Sequence, residues 1–514
     1  MVTTRETLSR AVLGMLFALG GCSGPADGTG QDASSPGDGA GDAEEEIHAP
    51  GPSRLRAEGT RIVDAAGAEV RLRGVNLGGW MFHETWITLS GPPLHARILD
   101  RAVEEDLVEE VTAAARAAGT TYGTDPAVIH VCPADGPEWL PLFQEALAGE
   151  LGAEAAAAFV AGLEPALCDD SDRGLRALLE ERFGPDGRDQ LLDSFQEAWL
   201  READIAWLAD HGFNVVRVPI GYRSLMTGPD ADRPEALAWN DAALARIDAL
   251  LDWCRDHGIW AIIDIQEAPG GQNTYAGDAG LYDDPLMQDL TVELWETLSD
   301  RYRDRDEVAA YSLLAEPYGA PDAAARDAMY DRLVTAIRAR GDDHLLVIHD
   351  GFMGMESLPD PAAFGWEDVI YSTHLFEWTV TGPEGYAFIL ELYRQAWALA
   401  REAQGVPFYV GSFSTFRDEP WAYQAAGDLV AWMEEGGWSW SLWTYKRMDD
   451  PATVALFELR SAWGLRRDHE GPFDRPDPFS DSFEELEAKL AATAGLELGP
   501  NAALLEALTS WKER

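Results

Sequence analysis

Five polar side chains line or close apolar runs in this chain and are of types that carry or steer protons. They are Arg217 in "NVVRVPI", Gln266 after "IWAIIDI", Glu316 in "LLAEPYG", His374 ending "VIYSTH" and Ser412 in "YVGSFST". A carboxyl such as Glu316 works as an acid or base when its surroundings bring its pKa near the operating pH. A serine hydroxyl is neutral near pH 7 and attacks only when an adjacent base takes its proton. His374 is the candidate base for Ser412, and no third group is evident to orient that imidazole. Metal chemistry is not indicated, because Cys22, Cys132, Cys168 and Cys254 make no CxxC pair and no Cys/His cluster with ligand spacing. No GxGxxG phosphate loop occurs, and no cofactor is expected.

The elements that must hold these residues follow from hydrophobic rhythm. "TRIVDAAGAEVRLRGVN" alternates around Asp64-Ala65-Ala66-Gly67, which signals a β-hairpin leading into a strand. Strand-like runs then recur at 214–220, 259–265, 308–314, 344–349, 369–374, 407–411 and 438–443, and "RLRGVN" brings them to eight. Amphipathic segments such as "ALARIDALLDWCRDHG" separate most of them. Eight strand-helix units predict a closed α/β barrel, the (β/α)8 or TIM fold, with its chemistry at the carboxyl ends of the strands. Helix-forming sequence from about 91 to 190 breaks the rhythm and predicts a helical insertion after the first strand, over the mouth of the barrel.

Ninety acidic against 39 basic residues leave a net charge of -51, which disfavours nucleic acid and anionic lipid as partners. Arg5 and Arg10 precede a short apolar stretch and "LGGC", so residues 1–22 read as a lipoprotein-type signal peptide with Cys22 as the lipidated residue. A secretory signal cut nearby is the alternative. Residues 23–53 are Gly, Asp, Ser, Pro, Ala and Glu with little to bury, a disordered linker, and the barrel is expected over 54–514. Export permits a Cys132–Cys168 disulfide. Cys254, in an amphipathic stretch, reads as a buried core thiol.

"LRGVNLGGWMFHETWIT", "LADHGFNVVRVPIGY", "APGGQN", "LLAEPYG" and "GWSWSLWTYK" stand in an order and spacing that resemble glycoside hydrolase family 5, the cellulase and exo-β-glucanase family of (β/α)8 barrels. The resemblance covers about 55 to 465 apart from the insertion. It implies a retaining mechanism in which two glutamates about 5 to 5.5 Å apart act as acid/base and nucleophile. Glu316 falls at the acid/base position, while Ser412 replaces the nucleophile, Gly-Glu-Phe having become Gly411-Ser412-Phe413. Asn-Glu-Pro has become Ala315-Glu316-Pro317, Gln266 stands where a histidine is expected, and Phe376 stands near a tyrosine position. Arg217, His374 and Trp443 match the pattern, and Asn76 and Glu84 match positions that line the sugar site in the exo-glucanase branch. Trp80, Trp86 and Trp443 are candidate stacking faces for pyranose rings.

The resemblance leads to several expectations. Without a second carboxylate, Arg217 lacks its usual anion and should hold Glu316 ionised, making it a poor acid. Glu267 and Glu377, otherwise solvated loop charges, are the relocated carboxylates that could restore turnover. The expected protein is an exported monomer that binds or acts on polysaccharide or oligosaccharide of β-glucan type, a catalytically impaired pseudoenzyme of the bacterial cell envelope, touching the membrane only through its lipid anchor. The alternatives are an active O-glycosyl hydrolase of β-glucanase or β-glucosidase type, and an envelope scaffold or adhesin.

Overall fold

The computed structural model describes residues 52–88, 94–122, 139–163, 171–229, 233–273, 279–376, 382–415, 418–448, 456, 464–469 and 474–513. Cys22, Cys132, Cys168, Glu377, the signal segment and nearly all of the linker lie outside them, as does the side chain of Trp86.

Strands β1 (Arg56–Glu58), β2 (Arg61–Val63) and β3 (Glu69–Val70) form a small antiparallel sheet. The hairpin turns where the sequence placed it. Asp64 Oδ1 accepts from the amides of Ala66 and Ala68 at 2.9 and 2.8 Å, and Gly67 takes the left-handed φ of 83° that closes the turn.

Eight parallel strands then close into a barrel. They are β4 (Arg73–Asn76), β5 (Val215–Gly221), β6 (Trp260–Glu267), β7 (Val308–Ser312), β8 (Leu345–His349), β9 (Val369–Leu375), β10 (Phe408–Phe413) and β11 (Ser439–Leu442), each bonded to its neighbours, with β11 closing on β4. Most of their residues are buried, as expected for strands covered on the outside by helices and filled on the inside by side chains. The crossover helix Asp241–Asp256 shows how the sequence specifies that cover. Asn240 caps it, and Ala243, Leu244, Ile247, Leu250, Leu251 and Cys254 fall at three- and four-residue spacing on its buried face. Cys254 is a free thiol whose pKa burial pushes up, as a core position requires.

Between β4 and β5 lie the helices Leu94–Glu104, Val108–Tyr122, Trp139–Leu151, Ala153–Ala161 and Asp172–Trp199. Ile98, Val111, Phe143, Leu147 and Phe159 build a core of their own, joined by Leu456 from beyond β11. Helix Asp172–Trp199 runs past the end expected near residue 190. Gly184, at φ 75°, breaks it, and Pro185 restarts it, so a sequence signal for termination marks a kink instead.

The start of this helix is tied to the carboxyl ends of the barrel strands. Asp172 accepts from the His83 amide at 2.9 Å and pairs with Arg176 at 2.7 Å, and Arg176 donates to Ser224 Oγ at 2.6 Å. Arg223, beside Ser224, pairs with Glu267 at the end of β6. A chain of buried charges thus joins the insertion to the rim of the barrel.

Candidate active site

The residues singled out in the sequence gather at the carboxyl ends of the barrel strands, in two layers. Asn76, at the end of β4, and Arg217, on β5, form the lower layer, both almost wholly buried. Arg217 donates to Asn76 Oδ1 at 2.6 Å and to Gln266 Oε1 at 3.2 Å, and meets Asp264 Oδ2 at 2.8 Å. Asn76 Nδ2 donates to the carbonyls of Gly411, Ser441 and Leu442 at 3.1, 3.3 and 2.9 Å. Both ends of the Asn76 amide are therefore engaged by protein. Asn76 and Arg217, expected to contact substrate, instead support the site from beneath, as positioning residues.

Gln266 takes up the guanidinium of Arg217 with its side chain, while Gln272 holds its backbone. Gln272 Nε2 donates to the carbonyls of Gln266 and Ala315, each at 2.8 Å, and its Oε1 accepts from the Ala268 amide at 2.9 Å. The glycine turn of "APGGQN" is thus a scaffold that clamps the ends of two strands, one of them immediately before Glu316.

Glu316 follows β7 with a left-handed φ of 47°. Its Oε1 lies 2.6 Å from His374 Nδ1 on β9. Burial pushes the Glu316 pKa up, against weaker downward pulls from His349 and Arg217. Burial thus opposes the ionisation that Arg217 favours. Arg217 does not lack an anion, because Asp264 supplies one from directly beneath the site. The same burial, with the charge of Arg217, pushes His374 well below the usual histidine range, so its imidazole is neutral.

Ser412 presents the opposite case. It is 1% exposed, and its Oγ has no hydrogen-bond partner among the described residues. It lies beside His374 in the β9–β10 register, where the pairing shifts across Gly411. A Cβ on Gly411 would come within 3.0 Å of His374 Nε2 and of Ser372 Oγ, so the glycine lets the imidazole lie against the β10 backbone. The third group missing from the sequence reading is Glu316, which holds His374 in place. Nevertheless no hydrogen bond links Ser412 Oγ to that imidazole, and the serine has no engaged base to activate it.

The other expected residues separate clearly. Glu267, expected as a loop charge or relocated carboxylate, is a buried partner of Arg223. Trp80 is no stacking face, because it is buried with its Nε1 donating to the Gln196 carbonyl at 2.8 Å. Trp443 follows β11 and is 5% exposed. Glu84 is half-buried at the entry to a helical turn, Thr85–Thr88, its carbonyl accepting from the Ile87 amide at 2.8 Å. Phe376 packs edge-on to His374, with ring centroids 6.3 Å apart. Asp264, His349 and Asp350 received no role from the sequence, although all three lie on or just beyond a strand end. Among the described residues no group of His, Cys, Asp and Glu is arranged to hold a metal.

The sequence model of cellulase, glycosyl hydrolase family 5, matches residues 186–449, just over half of the chain. The chain belongs to glycoside hydrolase family 5. Within the family it is 26% identical over 427 residues to a beta-xylosidase of Phanerodontia chrysosporium, covering 76% of this chain and 70% of that protein. It is 30% identical over 213 residues to a probable glucan 1,3-beta-glucosidase A of Neosartorya fischeri, covering 39% of this chain and 48% of the relative. With the protein of the same name from Emericella nidulans it shares 27% over 327 residues, 61% and 59% of the two chains. The chain thus spans about half the length of these two glucosidases. A solved endogalactoceramidase superposes with a TM-score of 0.49 at 19% identity, covering 85% of this family 5 chain and 84% of the other.

Proposed function

We propose that this family 5 protein binds saccharides of β-glucan type at the barrel mouth and has lost the retaining turnover of its fold. The observation that carries the reading is Ser412. Where the retaining mechanism needs a carboxylate about 5 to 5.5 Å from the acid, the chain supplies a short, buried, unpartnered hydroxyl. Three other described carboxylates near the strand ends have partners of their own, and Glu377 lies outside the described residues. Asp264 neutralises Arg217, Glu267 pairs with Arg223, and Asp350 accepts from the Phe352 amide and Thr373 Oγ1 at 3.1 and 3.2 Å. The names of the glucosidase relatives supply the substrate class.

The test pairs gel retardation in laminarin with turnover of an aryl β-glucoside. Retardation without turnover is the expected result. Turnover that Glu316→Gln abolishes would overturn the reading in favour of an active hydrolase. One observation favours that second reading: burial pushes the Glu316 pKa up, the direction an acid catalyst needs. Export to the bacterial envelope with a lipid on Cys22 belongs to the same proposal. It rests on the basic and apolar residues before "LGGC". Palmitate labelling of the expressed chain, lost in Cys22→Ala, checks it.

A further inference from the structure

His83, in the loop after β4, belongs to neither layer of the site, yet its side chain is enclosed, with the residue 1% exposed. Both ring nitrogens are buried, and neither has a hydrogen-bond partner among the described residues. The ring lies against Phe195, with centroids 5.0 Å apart. The charged groups that face it, Asp172 and Arg176, stand at the start of helix Asp172–Trp199. Asp172 also accepts from the His83 amide, so the imidazole is seated on the clasp that ties the inserted helices to the barrel rim. Arg223, whose carbonyl accepts from Arg176, and Glu267 are one link further along that clasp, and Glu84 is the chain neighbour on the loop itself.

A histidine so placed is held neutral. Protonation would give the ring two N–H donors without an acceptor and set a second cation beside the Arg176 guanidinium, while Asp172 is already engaged by Arg176 and by the His83 amide. Burial drives the His83 pKa from 6.5 down to about 4; Asp172 pulls it up less strongly, and Arg176 adds to the fall. Against burial, which pushes it up, Arg176 and His83 hold Asp172 below the usual carboxylate range, so it keeps its charge while an open imidazole titrates. Below pH 6.5 an exposed His83 takes up a proton that the closed clasp refuses, and acid therefore favours opening.

The helix itself bounds that opening. Gly184 breaks it at φ 75°, and just before the break Arg182 is tied to the C-terminal segment, donating to the carbonyl of Pro478 and, at 2.7 Å, to that of Asp481. The turns before Arg182 are free to part from the rim while the stretch beyond the kink stays in place.

We propose that His83 is an acid-released latch: its protonation parts residues 171–181 of the insertion from the loop that carries Glu84 at the barrel mouth. The latch needs no ligand and stands apart from the saccharide-binding reading above.

Hydrogen-exchange mass spectrometry of the full chain at pH 7.5 and pH 5, corrected for the intrinsic pH dependence of amide exchange, tests it. Protection over 80–88 and 171–181 should fall about thirtyfold between the two, the ratio set by an imidazole of pKa 6.5 when open and about 4 when closed. Protection over 186–199 and over the crossover helix Asp241–Asp256 should not change. His83→Leu, which keeps an apolar side chain against Phe195 and carries no proton, should abolish the fall while remaining protected at pH 7.5. Deuterium exchange at the imidazole C2 carbon reads the His83 pKa in the native chain and needs no variant; a value below 5 supports the latch, and one near 6.5 overturns it. Equal protection of the native chain at both pH values also overturns it, as does a fall that persists in His83→Leu or runs equally through Asp241–Asp256.

Discussion

Asp350 offers the sharpest quantitative test of how the rim of this barrel is held. Its carboxyl is buried, accepts from the Phe352 amide and Thr373 Oγ1, and has its pKa raised from 3.8 to about 6, chiefly by burial. An acid whose pKa is higher in the folded state binds more protons folded than unfolded between those two values, so stability falls as pH rises through that window and then levels off. A difference of roughly 2 pKa units corresponds to about 3 kcal/mol at neutral pH. Asp350→Asn removes the charge, keeps the acceptor for Phe352, and offers Thr373 Oγ1 a donor. Chemical unfolding of both proteins at pH 4 and pH 8 is the assay. The variant should equal the native chain within experimental scatter at pH 4 and exceed it by up to about 3 kcal/mol at pH 8. A variant less stable than native at pH 8, or an equal gap at both pH values, would refute the account of a carboxylate destabilised by burial.

The remaining predictions concern the site and its ties to the insertion. Ser412→Glu restores little aryl β-glucosidase activity, because Asp264 already neutralises Arg217 and Ala315 still lacks an amide; turnover typical of an intact retaining pair would sink this. Gly411→Ala forces His374 Nε2 to shift and breaks its approach to Glu316, costing about 1–3 kcal/mol; unchanged histidine NMR shifts and unfolding would refute it. Glu267→Gln removes a buried carboxylate paired with Arg223 and costs about 3–5 kcal/mol in denaturant unfolding, whereas replacing both partners with Met is near neutral. A loss equally large in the double variant would show that packing, not charge, holds that contact.

Much of this architecture was legible because periodicity is a local signal. The eight apolar runs became the eight barrel strands, and the Asp64–Gly67 turn formed by the side-chain bonding its residues favour. Glu316, His374, Ser412 and Trp443 also lie on the expected rim, since strand ends can be read from where an apolar run stops. What sequence could not convey is depth. Asn76 and Arg217 occupy strand positions as plausible for substrate contact as Gln266, yet cross-strand carbonyls and Asp264 consume their polar atoms. Asp264 has the same inward parity as Gln266, two residues later, so alternation along β6 was the available clue to the anion beneath Arg217. Burial, which periodicity does not convey for a residue just past a strand, pushes the Glu316 pKa up against the pull of Arg217. Glu267 read as a loop charge because its partner Arg223 follows a different strand.

Leu456 has a consequence for anyone who would swap or remove parts of this molecule. It reaches the core of the inserted helices from beyond the eighth barrel strand, 297 positions further along the chain than Phe159 with which it clusters. The helices are thus not an appendage that can be cut away at two neighbouring junctions. A truncation that discards residues 94–170 bares an oily side chain hundreds of residues downstream, and a transplant into another barrel arrives without the side chain that completes its core. Chimaeras should therefore move the segment around Leu456 together with the helices, or replace Leu456 with a polar residue when the helices are left out.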